Sequence, residues 1–323
     1  MKRKIKTLSI ILTATVLLGG CTATQNSNEN KNASVSSNGS ENAVDVTFTD
    51  AIGNTVTVSN PKTTIMCMGS FAETWILAGG ELAAVTQDAF DEKREGISSD
   101  VFNLGSLHNP SAESIISLNP DFVVMSANIS DHVDIYDTLK SAGINVAYFD
   151  VETFDDYLNM LNIFTDITGR KDLYKENGTD IKDKIDSIIS SCEDKQSPTV
   201  LFIRAFSTGA KAKDSSSMTG HMLEDLGAAN IADLQPSLLE DLSMEEVIKQ
   251  DPDFIFVTTM GSSDEAAIEY MKTEVESNPA WSELSAVKNG RYIILDKNLF
   301  HYKPNARWSE SYEILADYLY PEK

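Results

Sequence analysis

Apolar and polar positions along this chain fall into blocks short enough to read one by one. Residues 44–58 alternate with a period of two around Asp50-Ala51-Ile52-Gly53-Asn54, which predicts a hairpin closed by a glycine turn. Residues 63–68, two threonines followed by Ile65-Met66-Cys67-Met68, read as a buried strand that breaks at Gly69-Ser70. Residues 71–78 carry apolar side chains at helical spacing and stop at Gly79-Gly80, a C-terminal cap signal. A strand at 82–85, a charged loop at 91–100, a helix at 133–142 capped by Gly143 and a strand at 144–149 follow. Strands and helices that take turns in this way predict a doubly wound α/β lobe, with helices on both faces of a parallel sheet.

Within that lobe lies a stretch that occurs twice. Ser111-Ala112-Glu113-Ser114-Ile115-Ile116-Ser117-Leu118-Asn119-Pro120-Asp121-Phe122-Val123-Val124-Met125 returns 132 positions later as Ser243-Met244-Glu245-Glu246-Val247-Ile248-Lys249-Gln250-Asp251-Pro252-Asp253-Phe254-Ile255-Phe256-Val257, with six of fifteen positions identical. Each copy reads as a cap serine, a short helix, an Asx-Pro stop and an apolar strand. Copies so far apart predict two similar α/β lobes in place of a short-period array.

The segment between the copies supplies the link. Residues 153–168 are amphipathic and end at Gly169; residues 172–192 then set Leu173, Ile181, Ile185, Ile188 and Ile189 among many charges. So charged a helix belongs on the outside, bridging two bodies. The expected organisation is a first lobe at 44–168, a long rigid linking helix within 169–196 and a second lobe at 197–323. The second lobe opens with a strand at 199–203, has a short helix at 221–227, and closes with an amphipathic helix at 308–319.

The first 43 residues do not fit a lobe. Lys2, Arg3, Lys4 and Lys6 precede an apolar run at 8–18 that is too short to span a bilayer, the pattern of a signal peptide over residues 1–20. Leu18-Gly19-Gly20-Cys21 has the small residues ahead of cysteine that mark Cys21 for lipidation. Asn, Ser, Thr, Glu, Gln and Ala dominate residues 22–43, a composition that buries too little apolar surface to fold and reads as a tether. Removing residues 1–20 leaves 22 basic against 49 acidic residues, a net charge of −27, which argues against nucleic acid as a partner. The other two cysteines, Cys67 in an apolar strand and Cys192 at a helix end, are expected to be free thiols.

A lipidation signal, a polar tether and two α/β lobes joined by one helix resemble the substrate-binding lipoproteins of ABC importers, in the branch that carries ferric siderophores, haem and cobalamin. Leu104-Gly105, the first copy of the repeat, residues 139–146 and the second copy carry the resemblance, which covers residues 47–321. It implies an extracytoplasmic, membrane-anchored protein that acts as a monomer without a cofactor of its own, and the Asn/Ser-rich tether resembles that of a Gram-positive surface lipoprotein more than that of a soluble periplasmic protein. Its partners are a permease dimer with a cytoplasmic ATPase, and its cargo is an iron complex or corrinoid, with an anionic ferric siderophore as first choice. In that family one glutamate per lobe docks onto permease arginines; the matching positions are Glu113 and Glu245. In the second copy Ser243 and Glu246 have the spacing of a capping box, which leaves Glu245 without a local task.

In such a binder the ligand lies between the lobes, against loops at the carboxyl ends of strands. The loops at 68–71, 106–109, 127–129, 204–207, 260–261 and 300–308 are expected there, which nominates Met68, Ser70, Phe71 and His108 from the first lobe. From the second lobe, Arg204 ends an apolar strand, and Lys211, Lys213, Lys303 and Arg307 add positive charge to a strongly acidic protein, a pattern suited to an anionic ligand. Tyr302 and Trp308 are expected as stacking walls. If the cargo is haem, the resemblance makes Met68, His108, His221 and Tyr302 the candidate axial ligands. The sequence has no Gly-x-Ser-x-Gly elbow, P-loop, Gly-x-Gly-x-x-Gly or His-Glu-x-x-His motif. A lipid-anchored α/β hydrolase is the reading from another class, and turnover of ester substrates separates it from a binder.

Overall fold

The computed structural model describes residues 45–240 and 242–321. The signal peptide, the Cys21 lipidation site and the tether lie outside the described residues. Strands β1 (Val46–Thr49) and β2 (Thr55–Val58) form the expected antiparallel hairpin. The Asp50 carboxylate holds its turn by accepting from the backbone N–H groups of Ile52 and Asn54, and it accepts a third from Tyr148.

The first lobe is a parallel sheet of β3 (Thr64–Met66), β4 (Ala84–Val85), β5 (Phe102–Asn103), β6 (Phe122–Ser126) and β7 (Val146–Phe149), in the order β5-β4-β3-β6-β7. The second lobe contains β8 (Thr199–Phe206), β9 (Gly209–Lys213), β10 (Ala229–Asn230), β11 (Phe254–Thr259) and β12 (Tyr292–Ile294). Its parallel order is β10-β8-β11-β12, with β9 folded back antiparallel onto β8. Every residue of β6 and β11 is buried, which is why both copies of the repeat end in unbroken apolar runs. In each sheet the order reverses beside the first strand, between β3 and β6 and between β8 and β11. Those two switch points fix where a ligand can enter, because crossover connections leave opposite ways there and open a crevice at the strands' carboxyl ends.

The helices that matter for the cleft are α1 (Gly69–Leu77), α2 (Ala112–Ser117), α3 (Phe154–Thr168), α4 (Asp180–Cys192), α5 (Met218–Asp225), α6 (Met244–Gln250) and α7 (Trp308–Leu319). Helix α3 begins with a full capping box between Thr153 and Asp156 and ends at Gly169 in the left-handed conformation, φ 73°. The link is helical from Lys171 to Cys192, with a π turn at Lys175–Thr179 ahead of α4. Gly178 sits in that turn, where a Cβ would come within 3.1 Å of Leu158 and 3.2 Å of Leu161; the absence of a side chain there lets the link approach α3 closely without displacing the two leucine methyls.

The link is less of an outside strut than its charges implied. Ile181, Ile185 and Cys192 are buried, and α4 packs along α7. One apolar cluster runs from Trp75 and Phe164 in the first lobe, through Ile181 and Ile185, to Phe202, Phe256, Trp308 and Tyr312 in the second. The described residues accordingly form one compact unit. Cys67 and Cys192 are free and buried.

Candidate functional site

A cavity of about 1230 Å³ opens between the lobes at both switch points. Met68 follows β3, Ser126 ends β6, Arg204 lies near the end of β8 and Met260 follows β11, and all four line it. The crevice expected from strand order is thus the one the fold makes. Loops after β7 and β12 complete the walls with Asp150, Glu152, Tyr302 and Lys303.

Arg204 stands out electrostatically. It pairs with Thr258 on β11 and Lys211 on β9 in the strand register, so its backbone is fixed from both sides. Its Nε is buried with no hydrogen-bond partner among the described residues. Burial holds the guanidinium below its ordinary range, with Glu152 pulling the other way. Nearby, the largely buried Lys303 ammonium meets Glu152 at 3.0 Å, a pair that joins the two lobes. Burial lowers the Lys303 pKa, and the Glu152 carboxylate opposes that shift.

Arg94 makes a second tie. Its guanidinium reaches Glu73 at 2.9 Å and Glu92 at 2.8 Å, and donates to the Lys303 carbonyl at 2.7 Å. Glu92 is itself pushed up to about 7, mainly by burial and against the pull of Arg94. His301 is held neutral: burial, reinforced by Arg204, Lys297 and Lys303, lowers it to about 3. Its Nδ1 has no partner among the described residues. Tyr302 presents its ring to two cations, Arg94 at 5.7 Å and Lys297 at 5.3 Å.

The cavity brings together Met68, Phe71, His108, Arg204, Tyr302 and Lys303 from the nominated set, with Lys213. Five nominated residues stand elsewhere. Ser70 is buried inside α1, where its carbonyl accepts from Thr74 and Asn305. Lys211 is exposed opposite Arg204 and does not line the cavity. His221 lies on α5 beside Glu224 at 3.8 Å and Asp225 at 3.7 Å, away from the cavity, so it is removed from any axial set. Arg307 turns out to Glu310 at 2.7 Å. Trp308 is fully buried and meets the Phe154 ring at 5.8 Å, so it is core and not a wall.

Sequence reasoning missed Asp88, Asp91, Glu92, Arg94 and Lys297, which all line the cavity. Asp88 follows β4, and its position after a strand was the available signal; its Oδ2 accepts from the Gly69 N–H at 2.6 Å, at the start of α1. His132 was also passed over. The Ser126 N–H donates to its Nδ1 at 3.0 Å, so Nε2 carries the proton and donates to the Leu107 carbonyl at 2.6 Å, which holds the His108 loop against β6.

The two repeat helices are alike in what they expose. Ser111 Oγ accepts from the Ser114 N–H, and Ser243 Oγ from the Glu246 N–H at 3.4 Å. The Glu246 carboxylate turns to Gln250 and Lys249 and does not reach back to Ser243, so the expected capping box is only half made. Glu113 and Glu245 are exposed, and neither forms a hydrogen bond or ion pair with its side chain among the described residues. Ile116 and Ile248, at matching positions of the repeat, are exposed at 36% and 41%.

A family model for periplasmic binding proteins matches residues 66–299. The chain belongs to the periplasmic binding protein family. It is accordingly a binding protein and not an enzyme. This periplasmic binding protein is similar to the Fe(3+)-citrate-binding protein YfmC of Bacillus subtilis, 25% identical over 298 residues, 91% of this chain and 90% of that one. It is also similar to the uncharacterized ABC transporter substrate-binding lipoprotein YvrC of Bacillus subtilis, 26% identical over 336 residues, 100% of this chain and 99% of that one. Among solved structures it is similar to S. aureus IsdE complexed with heme, with a TM-score of 0.67 and 17% identity over 80% of this chain and 98% of that one. That likeness bears on the fold: two parallel-sheet lobes with a cleft between them.

Proposed function

We propose that this chain is a lipid-anchored, extracytoplasmic binding protein that captures a ferric complex of an anionic chelator and hands it to an ABC permease. The observation that carries the ligand class is Arg204, a half-buried guanidinium that lines the interlobe cavity with a buried, unpartnered Nε. Its guanidinium makes no side-chain hydrogen bond or ion pair among the described residues, and a ligand oxygen bearing negative charge against its cavity-facing side gains a charge-assisted hydrogen bond of about 1.5–3 kcal/mol. Lys213, beside it in the cavity, adds a second positive charge. The relative that binds Fe(3+)-citrate supports this reading, since citrate complexes of iron present free carboxylates.

Delivery is assigned to Glu113 and Glu245. A helix that precedes a parallel strand runs opposite to it, so the N-termini of α2 and α6 lie toward the carboxyl edges of their sheets, the edges that face the cleft. One free glutamate, with one exposed isoleucine a turn away, thus flanks the cleft on each lobe. Two like surfaces suit a permease dimer that offers the same basic groups twice. The lipoprotein relative supports anchorage at Cys21.

Haem is the second reading, favoured by His301, whose neutral imidazole lines the cavity, and by His108 in the opposite wall. Calorimetric titration of the full chain with ferric dicitrate, haemin and cyanocobalamin separates the readings. Ferric dicitrate should bind and lose affinity in Arg204→Gln. A haem Soret shift that disappears in His301→Ala or His108→Ala, with no binding of ferric dicitrate, would replace the first reading by the second.

A further inference from the structure

The charges around the cleft are sorted by lobe. All five carboxylates that line it, Asp88, Asp91, Glu92, Asp150 and Glu152, come from the first lobe. Four of the five Lys and Arg side chains, Arg204, Lys213, Lys297 and Lys303, come from the second. Internal pairs use up part of this charge: Glu152 with Lys303, Glu92 with Arg94, and Lys297 with Asp264 outside the cavity. Among the described residues that leaves Asp88, Asp91 and Asp150 on one wall and Arg204 and Lys213 on the other, with no ion pair of their own.

The orphaned atoms follow the same division. Asp88 Oδ1 is a buried acceptor without a donor, and Arg204 Nε is a buried donor without an acceptor. Asp91 and Asp150 accept only from the neutral amides of Gln87 and Asn128. A polyanion fits the second-lobe wall and meets three uncompensated carboxylates on the first. A purely cationic complex meets the reverse.

We propose that the ligand is dipolar: a ferric complex that turns anionic oxygens to Arg204 and Lys213 and a protonated amine to Asp88, Asp91 and Asp150. This rests on the ferric-complex reading and narrows its ligand class. Both walls are then satisfied by one molecule, and selectivity against simple polyanions comes from the first lobe. The competing possibility is that lobe closure lets the two walls neutralise each other, as Glu152 and Lys303 already do; a ligand amine would then gain nothing.

Three ferric complexes on one chelating core decide between these, each titrated calorimetrically into the full chain: dicitrate, dicitrate with one free carboxylate amidated by ethylenediamine to leave a protonated amine, and the N-acetylated form of that amide. The amine complex should bind about tenfold or more tighter than its acetylated twin. The Asp88→Asn/Asp91→Asn/Asp150→Asn variant should abolish that preference and tighten dicitrate itself. If Asp88→Asn disturbs α1, the exposed pair Asp91→Asn/Asp150→Asn should still shrink the preference. Arg204→Gln should weaken all three complexes alike. Equal affinity for the amine and its acetylated form in the parent protein, or a preference that survives the carboxamide variants, overturns the dipolar assignment while leaving the ferric reading intact. Failure of all three complexes to bind overturns the ferric reading and this inference with it.

Discussion

At the scale of single residues, Arg204 is a group placed for a ligand at the expense of the fold. Its Nε is buried without a partner, and burial already disfavours its charge. An unmet buried polar group costs about 1–3 kcal/mol. Arg204→Met should therefore raise the melting temperature by about 2–6 °C while weakening an anionic ferric complex by about 10–100-fold. Scanning calorimetry and titration read the two effects separately, and a lowered melting temperature would mean that the guanidinium is already satisfied. Arg204 was legible in the sequence because a cation that ends an apolar strand has few places to go except a cleft. Arg307 and Trp308 were not: they follow the same loop, but the phase of α7 turns the indole into the core and the guanidinium out to Glu310. That phase depends on packing against α3 and α4, which no local pattern records. His221 failed for a similar reason, since α5 begins at Met218 and points it at Glu224 and Asp225.

At the scale of elements, the repeat was the most readable feature, because each copy joins a capped helix to a strand buried on both faces. Its two strands became β6 and β11, each beside the switch point of its sheet. Strand β9 went unseen: its alternation covers five residues, and the turn through Ser207-Thr208 lacks the Asn-Gly or Asp-Gly signature of a tight hairpin. That omission displaced Lys211: the register sets it opposite Arg204, where it is exposed and stands outside the cavity lining, while Lys213, two residues on and on the same face of the strand, reaches the lining. The helices α2 and α6 carry a separable prediction. Glu113→Ala and Glu245→Ala should leave ligand affinity and melting temperature unchanged, because neither carboxylate has a local partner among the described residues. Uptake through the permease should fall for each single variant and fall further for the double. Normal uptake by the double variant would remove both glutamates from docking.

At the scale of the whole molecule, the question is how far two lobes with one core can move. The apolar cluster is continuous from Trp75 through the link to Trp308 and Tyr312, so the lobes share buried surface instead of meeting across a wet hinge. Polar ties cross the same boundary. Asn305 donates to the Ser70 carbonyl at 3.0 Å and to Glu73 at 2.8 Å, and the Lys303–Glu152 pair and the Arg94 bond to Lys303 lie beside it. Asn305 holds φ at 49°, a left-handed conformation that asparagine tolerates better than most residues. Asn305→Ala would lose these two hydrogen bonds and the one its Oδ1 accepts from the Thr74 hydroxyl at 3.3 Å, leave Glu73 to Arg94 alone and strain the backbone. The expected loss is about 2–4 kcal/mol, from buried hydrogen bonds and an unfavourable φ together. A shared core also requires that the loss be felt everywhere. The parent protein should unfold in one transition by both near-ultraviolet and far-ultraviolet circular dichroism, and Asn305→Ala should move that single transition down intact. Two transitions, with only one displaced by the variant, would show that the lobes fold independently and that the contacts across the cleft are local; large ligand-driven closure would then be open to the protein, whereas one cooperative core restricts it to small adjustments at the cleft walls.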